Sequence, residues 1–136
     1  MRFACLAIVL LAGCSEEADP GDAWVGAYRG PQRDALCIAR EGEALEAGLI
    51  TYGDGDTNCS FNGRAEVRGN ALVVMPHGDS ECSVEIRITD GAATLGRRSP
   101  SCTYYCGPDA NYAGRELRKT PGASTKIVDF AGDSLC

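Results

Sequence analysis

The chain is poor in the residues that most enzymes and nucleic-acid binders depend on. It has one histidine and two methionines, and no Gly-x-Ser-x-Gly elbow, phosphate loop or paired-histidine motif. The commonest hydrolase, nucleotide-binding and zinc-peptidase signatures are therefore missing. Basic charge is also scarce: 13 Lys and Arg face 19 Asp and Glu, a formal net charge of −6. Neutralising a phosphate backbone needs clustered cations, so this balance excludes a nucleic-acid partner. No long apolar run follows the N-terminal segment, which excludes a polytopic membrane protein. With 44% hydrophobic and 24% charged residues, wholesale disorder is excluded as well. What the chain does have is eight cysteines and 17 glycines in 136 residues. The length suits one domain, and the cysteine content points to an oxidising compartment.

Residues 1–13 carry a single charge, Arg2, followed by an apolar run that ends in small residues, the pattern of a secretion signal. The run stops at Cys14 and gives way to Ser15-Glu16-Glu17, short of the roughly 20 apolar residues that a spanning helix needs. Leu11-Ala12-Gly13-Cys14 resembles the lipobox of bacterial lipoproteins. The resemblance implies cleavage before Cys14, lipidation of that residue and stable anchoring by several acyl chains. Ser15, where an aspartate would retain the protein at the inner membrane, implies an outer-membrane address with the domain facing the periplasm. Residues 14–23, with Glu16, Glu17, Asp19 and Asp22 and little to bury, read as an acidic tether. Residues 24–120 read as a β-rich domain, and residues 121–136 as a polar tail that Cys136 can staple back.

On that resemblance Cys5 is lost with the signal and Cys14 takes the lipid. Cys37, Cys59, Cys82, Cys102, Cys106 and Cys136 remain, an even set that fits three disulfides. Spacing does not select a connectivity; sequence proximity favours Cys37 with Cys59, Cys82 with Cys102, and Cys106 with Cys136. The competing reading is a thiolate zinc site, for which one Cys-x-x-x-Cys and a single histidine supply poor ligand spacing. No cofactor is expected.

Residues 84–89 alternate strictly, with Val84, Ile86 and Ile88 on one face and Glu85, Arg87 and Thr89 on the other. Asp90-Gly91 then joins them to residues 92–97, which predicts a hairpin. A second hairpin reads from residues 64–67 through Gly69-Asn70 to residues 71–75. Residues 24–28, 45–52 and 114–119 supply further strands. Residues 35–49 are ambiguous: Ala35, Ile38, Ala39, Gly42, Leu45 and Leu49 form a helical stripe, whereas Gly48 and the turn-like Glu41-Gly42-Glu43 favour strand, turn, strand. Strands are expected here, and a short helical turn within residues 102–111. The sum is an all-β, mainly antiparallel fold, a small disulfide-stapled meander barrel or curved sheet of six to eight strands. Trp24-x-Gly26-x-Tyr28 resembles the first strand of lipocalin-like and lysozyme-inhibitor-like barrel lipoproteins, which implies the same architecture. The Ser-Gly-x-x-Tyr loop of the membrane-bound lysozyme inhibitors has no counterpart here.

Three stretches hold chemistry. Asp54, Asp56 and Asn58 have the D-x-D-x-N spacing of a calcium loop, but Cys59 stands where the turn glycine belongs and Ala65 where the bidentate glutamate belongs. A self-capping turn is the plainer reading. His77, in a loop with Asp79 and Glu81, is the residue from which a hydrolase reading can be built. Tyr104, Tyr105 and Tyr112 lie on a cysteine-bounded stretch suited either to plug the barrel or to make a rigid binding surface. Arg97, Arg98 and Arg115 flank it as candidate anion ligands. Without a catalytic constellation, the chain reads as a non-enzymatic module tethered to the membrane through Cys14 that binds an envelope protein, glycan or lipid. Inhibition of a cell-wall lytic enzyme is one alternative, and hydrolysis through His77 and nearby acids another.

Overall fold

The computed structural model describes residues 18–136, so the signal, Cys5 and the lipobox with Cys14 lie outside the described residues. Eight strands form one antiparallel meander: β1 (Gly26–Arg29), β2 (Ala35–Glu41), β3 (Ala44–Tyr52), β4 (Asn58–Arg68), β5 (Ala71–Pro76), β6 (Val84–Thr89), β7 (Ala92–Arg98) and β8 (Glu116–Lys119). Each pairs with the next, and β8 pairs with β1 to close the barrel. Closure leaves no exposed sheet edge. Among the described residues no helix is long and apolar enough to cross a membrane.

The two ends of the barrel differ. Gly42-Glu43, Gly69-Asn70 and Asp90-Gly91 make tight turns at one end. In the last of these Asp90 has φ 51° and Gly91 φ 76°, the doubly left-handed backbone that suits the twist of a hairpin. The longer connections, residues 30–34, 53–57, 77–83 and 99–115, all lie at the other end, as alternation along a meander requires. The chain enters at the turn end. There Gly21 N donates to Asp19 Oδ1 at 2.7 Å, and Arg40 holds Asp22 at 2.7 Å and Asp19 at 3.3 Å. Among the described residues, side-chain contacts with the barrel thus begin at Asp19, ahead of Trp24.

The interior is filled. Leu36, Ile38, Leu49, Leu72, Val74, Val84, Ile86, Leu95 and Leu117 point inward with Tyr28 and Tyr112, each under 2% exposed, and belong to one continuous core. The clefts described below open on the outside. An eight-stranded barrel has little more room than its own side chains require. Tyr28 donates its hydroxyl to Trp24 O at 2.7 Å, while the buried Tyr112 hydroxyl has no partner among the described residues. Burial pushes both phenols up from the ordinary 10 to about 12, with Arg98 pulling slightly the other way on Tyr112. A raised folded-state value favours the neutral form, so the corresponding stability is complete below pH 10 and is lost as pH rises towards 12. Phenolate absorbance is expected to show Tyr28 and Tyr112 ionising late and together with loss of circular dichroism. Smooth titration of all five tyrosines near 10 with the fold intact would contradict this burial.

A second, smaller core lies outside the barrel. After β8 the chain turns back across the outer face of β2 and β3, where Ile127 and Leu135 cover Ala35, Cys37, Ile50 and Tyr52. The backbone of Leu135 lies against Gly48 so closely that a β-carbon there would collide with its carbonyl oxygen. Two buried aliphatic side chains contribute about 1.5–3 kcal/mol each, whereas ordering a segment costs on the order of 1 kcal/mol per residue. The tail therefore depends on its covalent staple, Cys37–Cys136.

All six described cysteines form disulfides, but the connectivity corrects the proximity rule. Cys82–Cys102 is paired as expected; the other bonds are Cys59–Cys106 and Cys37–Cys136. Cys37 faces outward beneath the tail and Cys59 faces inward at the loop end, so no bond joins them. With every described thiol consumed, no thiolate zinc site remains.

Candidate functional site

The loop end of the barrel carries the features the sequence singles out. The connection from β7 to β8 descends over that end as a short 3-10 helix (Pro100–Tyr105) followed by an irregular loop. Ser99 explains where it starts: its hydroxyl donates to Glu81 O at 2.8 Å and accepts from Ser83 N at 3.0 Å. Pro100, which cannot donate a backbone hydrogen bond, then opens the helix. Two disulfides bolt this connection down, Cys82–Cys102 to the loop before β6 and Cys59–Cys106 to the start of β4. Gly107 N donates to Asn58 O at 2.8 Å beside the second bond.

The three tyrosines have three different fates. Tyr112 is fully buried and packs edge-on against Phe61 at 6.0 Å, sealing the core. Tyr105 is half-buried, also packs edge-on against Phe61, and donates its hydroxyl to Asp79 Oδ2 at 2.9 Å. Tyr104 is 87% exposed and meets Tyr105 edge-on at 5.3 Å. Plugging and display are thus divided among neighbours on one connection, and Tyr112 is removed from the candidate surface. Asp79 Oδ1 accepts from Glu81 N at 3.0 Å and Cys82 N at 3.1 Å. The Tyr105 hydrogen bond, then these backbone donors, hold its carboxyl below the usual range. Burial, then the bond to Asp79, raises the Tyr105 phenol.

The displayed tyrosine borders a shallow, wide-open cleft of about 750 Å³ between the 3-10 helix and the connection from β3 to β4. Asp56, Thr57, Asn58 and Ser60 line one side, and Tyr104, Tyr105 and Pro108 the other. Two loops that the sequence offers as separate candidates, residues 54–58 and 104–112, thus share one stapled cleft. A second cleft of about 490 Å³ lies across the Cys106-Gly107-Pro108 ridge and is lined by Arg98, Thr103, Asp109 and Asn111. Arg98 reaches Cys106 Sγ at 3.2 Å.

Comparison with protein-family models, curated proteins and solved structures finds no match. The site must be read from its own chemistry.

Three candidate readings are redirected by the geometry. Asp56 is bound by Arg33 at 2.6 Å, the Asn58 amide donates to the Asp56 carbonyl at 3.1 Å, and Thr57 Oγ1 donates to the Asp54 carbonyl at 2.8 Å. The loop is a self-capped turn with a guanidinium where a calcium reading needs converging free oxygens. Among the described residues no group of three or more His, Cys, Asp or Glu is placed to hold a metal. His77 lies 3.0 Å from Glu46 of β3, not on Asp79, whose carboxylate is engaged by Tyr105 and two backbone amides. Among the described residues no side-chain hydroxyl hydrogen-bonds the His77 ring. Arg115 is an internal strut, not an anion ligand. It reaches the fully buried Asp34 carboxylate and the Tyr52 carbonyl, each at 2.7 Å, while Asp34 also accepts from Tyr52 N at 2.8 Å. Sequence reading overlooks Asp34, whose one signal is a carboxylate directly preceding the apolar run of residues 35–39.

Proposed function

We propose that this chain is a non-catalytic binding module, anchored to a bacterial envelope membrane through lipid on Cys14 and facing the periplasm, with the Tyr104 cleft as its recognition surface. The observation that carries the reading is the division of labour between the barrel's ends. The chain enters at the turn end, while the loops, two of three disulfides and the exposed Tyr104 gather at the opposite end. From Cys14 to Asp19 an extended chain reaches about 17 Å. A lipid-anchored molecule would therefore keep its turn end near the bilayer and hold the cleft away from it. A filled interior speaks against a carrier of lipid or small molecules inside the barrel.

The test is site-specific photo-crosslinking in intact cells. A photoreactive residue in place of Tyr104 is expected to give an adduct. One in place of Thr94, on the outer wall of β7, is expected to give none. The adduct should fade in Cys14→Ala, which should also lose label from a fatty-acid probe. Equal adducts from both positions, or none from Tyr104, would overturn the binding reading; label surviving Cys14→Ala would overturn the anchor. An adduct to a wall-lytic enzyme would convert the module into an inhibitor.

A further inference from the structure

We infer that the cleft takes an uncharged oligosaccharide, an inference that rests on the binding reading above. A sugar ring presents a face of C–H groups and a rim of hydroxyls, so its receptor needs a free aromatic face beside short polar side chains. Tyr104 supplies the first. At 87% exposure its ring has no packing role in the barrel. It leans edge-on against Tyr105, which is itself fixed by Phe61 and Asp79. An aromatic held in place before binding loses little freedom on contact. The Ser60 hydroxyl, with the acceptor oxygens left on Asn58 and Thr57 after their protons cap the turn, supplies the second requirement along the facing wall. Across the ridge, Thr103, Asn111 and Arg98 offer further donors and acceptors.

Charge decides against an acidic ligand. Asp109 stands on the rim of the second cleft and Asp79 lies behind Tyr105, while Asp56 and Arg33 neutralise each other beside the first. Arg98 remains without a carboxylate partner among the described residues, but a lone guanidinium opposite Asp109 does not make a polyanion site, and the whole chain is net negative. Shape decides against a lipid tail, because the barrel interior is filled and the cleft walls are half polar side chains.

The experiment uses the full lipidated chain in micelles of a sugar-free detergent and ligand-observed saturation-transfer NMR. The probes are oligomers of N-acetylglucosamine, oligomers of glucose, and acidic oligogalacturonate. Saturation is expected to reach at least one neutral series and not the galacturonate. Tyr104→Ala should weaken that binding by about tenfold or more, as loss of a central aromatic contact does. Tyr104→Phe, which keeps the ring, should restore it to within about threefold. Silence from both neutral series, equal binding of the acidic oligomer, or indifference to Tyr104→Ala would overturn the inference. If crosslinking from Tyr104 still captures a specific adduct while no neutral sugar binds, the binding module stands and the sugar falls; if both fail, both readings fall.

Discussion

Asp34→Asn is expected to lower the free energy of unfolding by about 3 kcal/mol, the lower part of the range for breaking a buried ion pair, because Arg115 retains partial access to water. The reason is geometric. Asp34 sits in the connection between β1 and β2, Arg115 just before β8, and both bind Tyr52 at the end of β3. One carboxylate and one guanidinium therefore hold together three places in the chain separated by up to 81 residues. The asparagine can still accept from Tyr52 N, but it turns a donor towards Arg115 or leaves the guanidinium without its anion. Denaturant unfolding should show a lower midpoint with unchanged slope, since the surface exposed on unfolding is the same. Adding Arg115→Met should recover part of the loss, because the stranded charge is then removed. A loss below about 1 kcal/mol would reduce the pair to the standing of a surface salt bridge.

Most of the barrel was legible, for a physical reason. β6 and the turn after it follow from strict alternation and Asp90-Gly91, because one face of that strand meets the core and the other meets water. Residues 35–49 read ambiguously for the opposite reason. Leu36, Ile38, Leu45, Ala47 and Leu49 face the barrel core, while Ala35, Cys37 and Ile50 face the tail. Burial on both sides erases the period of two, and what is left resembles a helical stripe. The cause of that ambiguity sits in residues 121–136, which read as polar apart from Ile127, Val128 and Phe130, and of which Ile127 and Leu135 are the hydrophobic side chains buried on the barrel.

The site was legible in its parts but not in its assembly. Tyr104 and residues 54–58 stand out by composition, yet nothing local says that Cys59 pairs with Cys106 and draws them into one cleft. Choosing disulfides by sequence proximity fails because loop closure costs rise only logarithmically with length, so topology outweighs separation. Arg115 offered the same trap. A cation beside an aromatic loop looks like a ligand group until the partner 81 residues away is seen.

Replacing both Cys59 and Cys106 by alanine is expected to cost about 4 kcal/mol, against about 3 kcal/mol for the Cys82, Cys102 pair, from loop-closure entropy in the unfolded chain. The ordering follows from sequence separations of 47 and 20. Alanine is the right replacement because Cys59 is fully buried and a hydroxyl there would add an unsatisfied polar group. The two variants also separate stability from the site. Cys59–Cys106 joins the two walls of the cleft, whereas Cys82–Cys102 fixes only the helix side. At temperatures where both variants remain folded, loss of the first bond should also abolish the specific crosslink from Tyr104, and loss of the second should preserve it. Denaturant titration of the two variants checks the energies, and crosslinking at matched folded fraction checks the site. A Cys59, Cys106 variant that is no less stable than the other and keeps its crosslink would mean that Tyr112 and Phe61, packed edge-on beneath the loop, hold the cleft together without the bond.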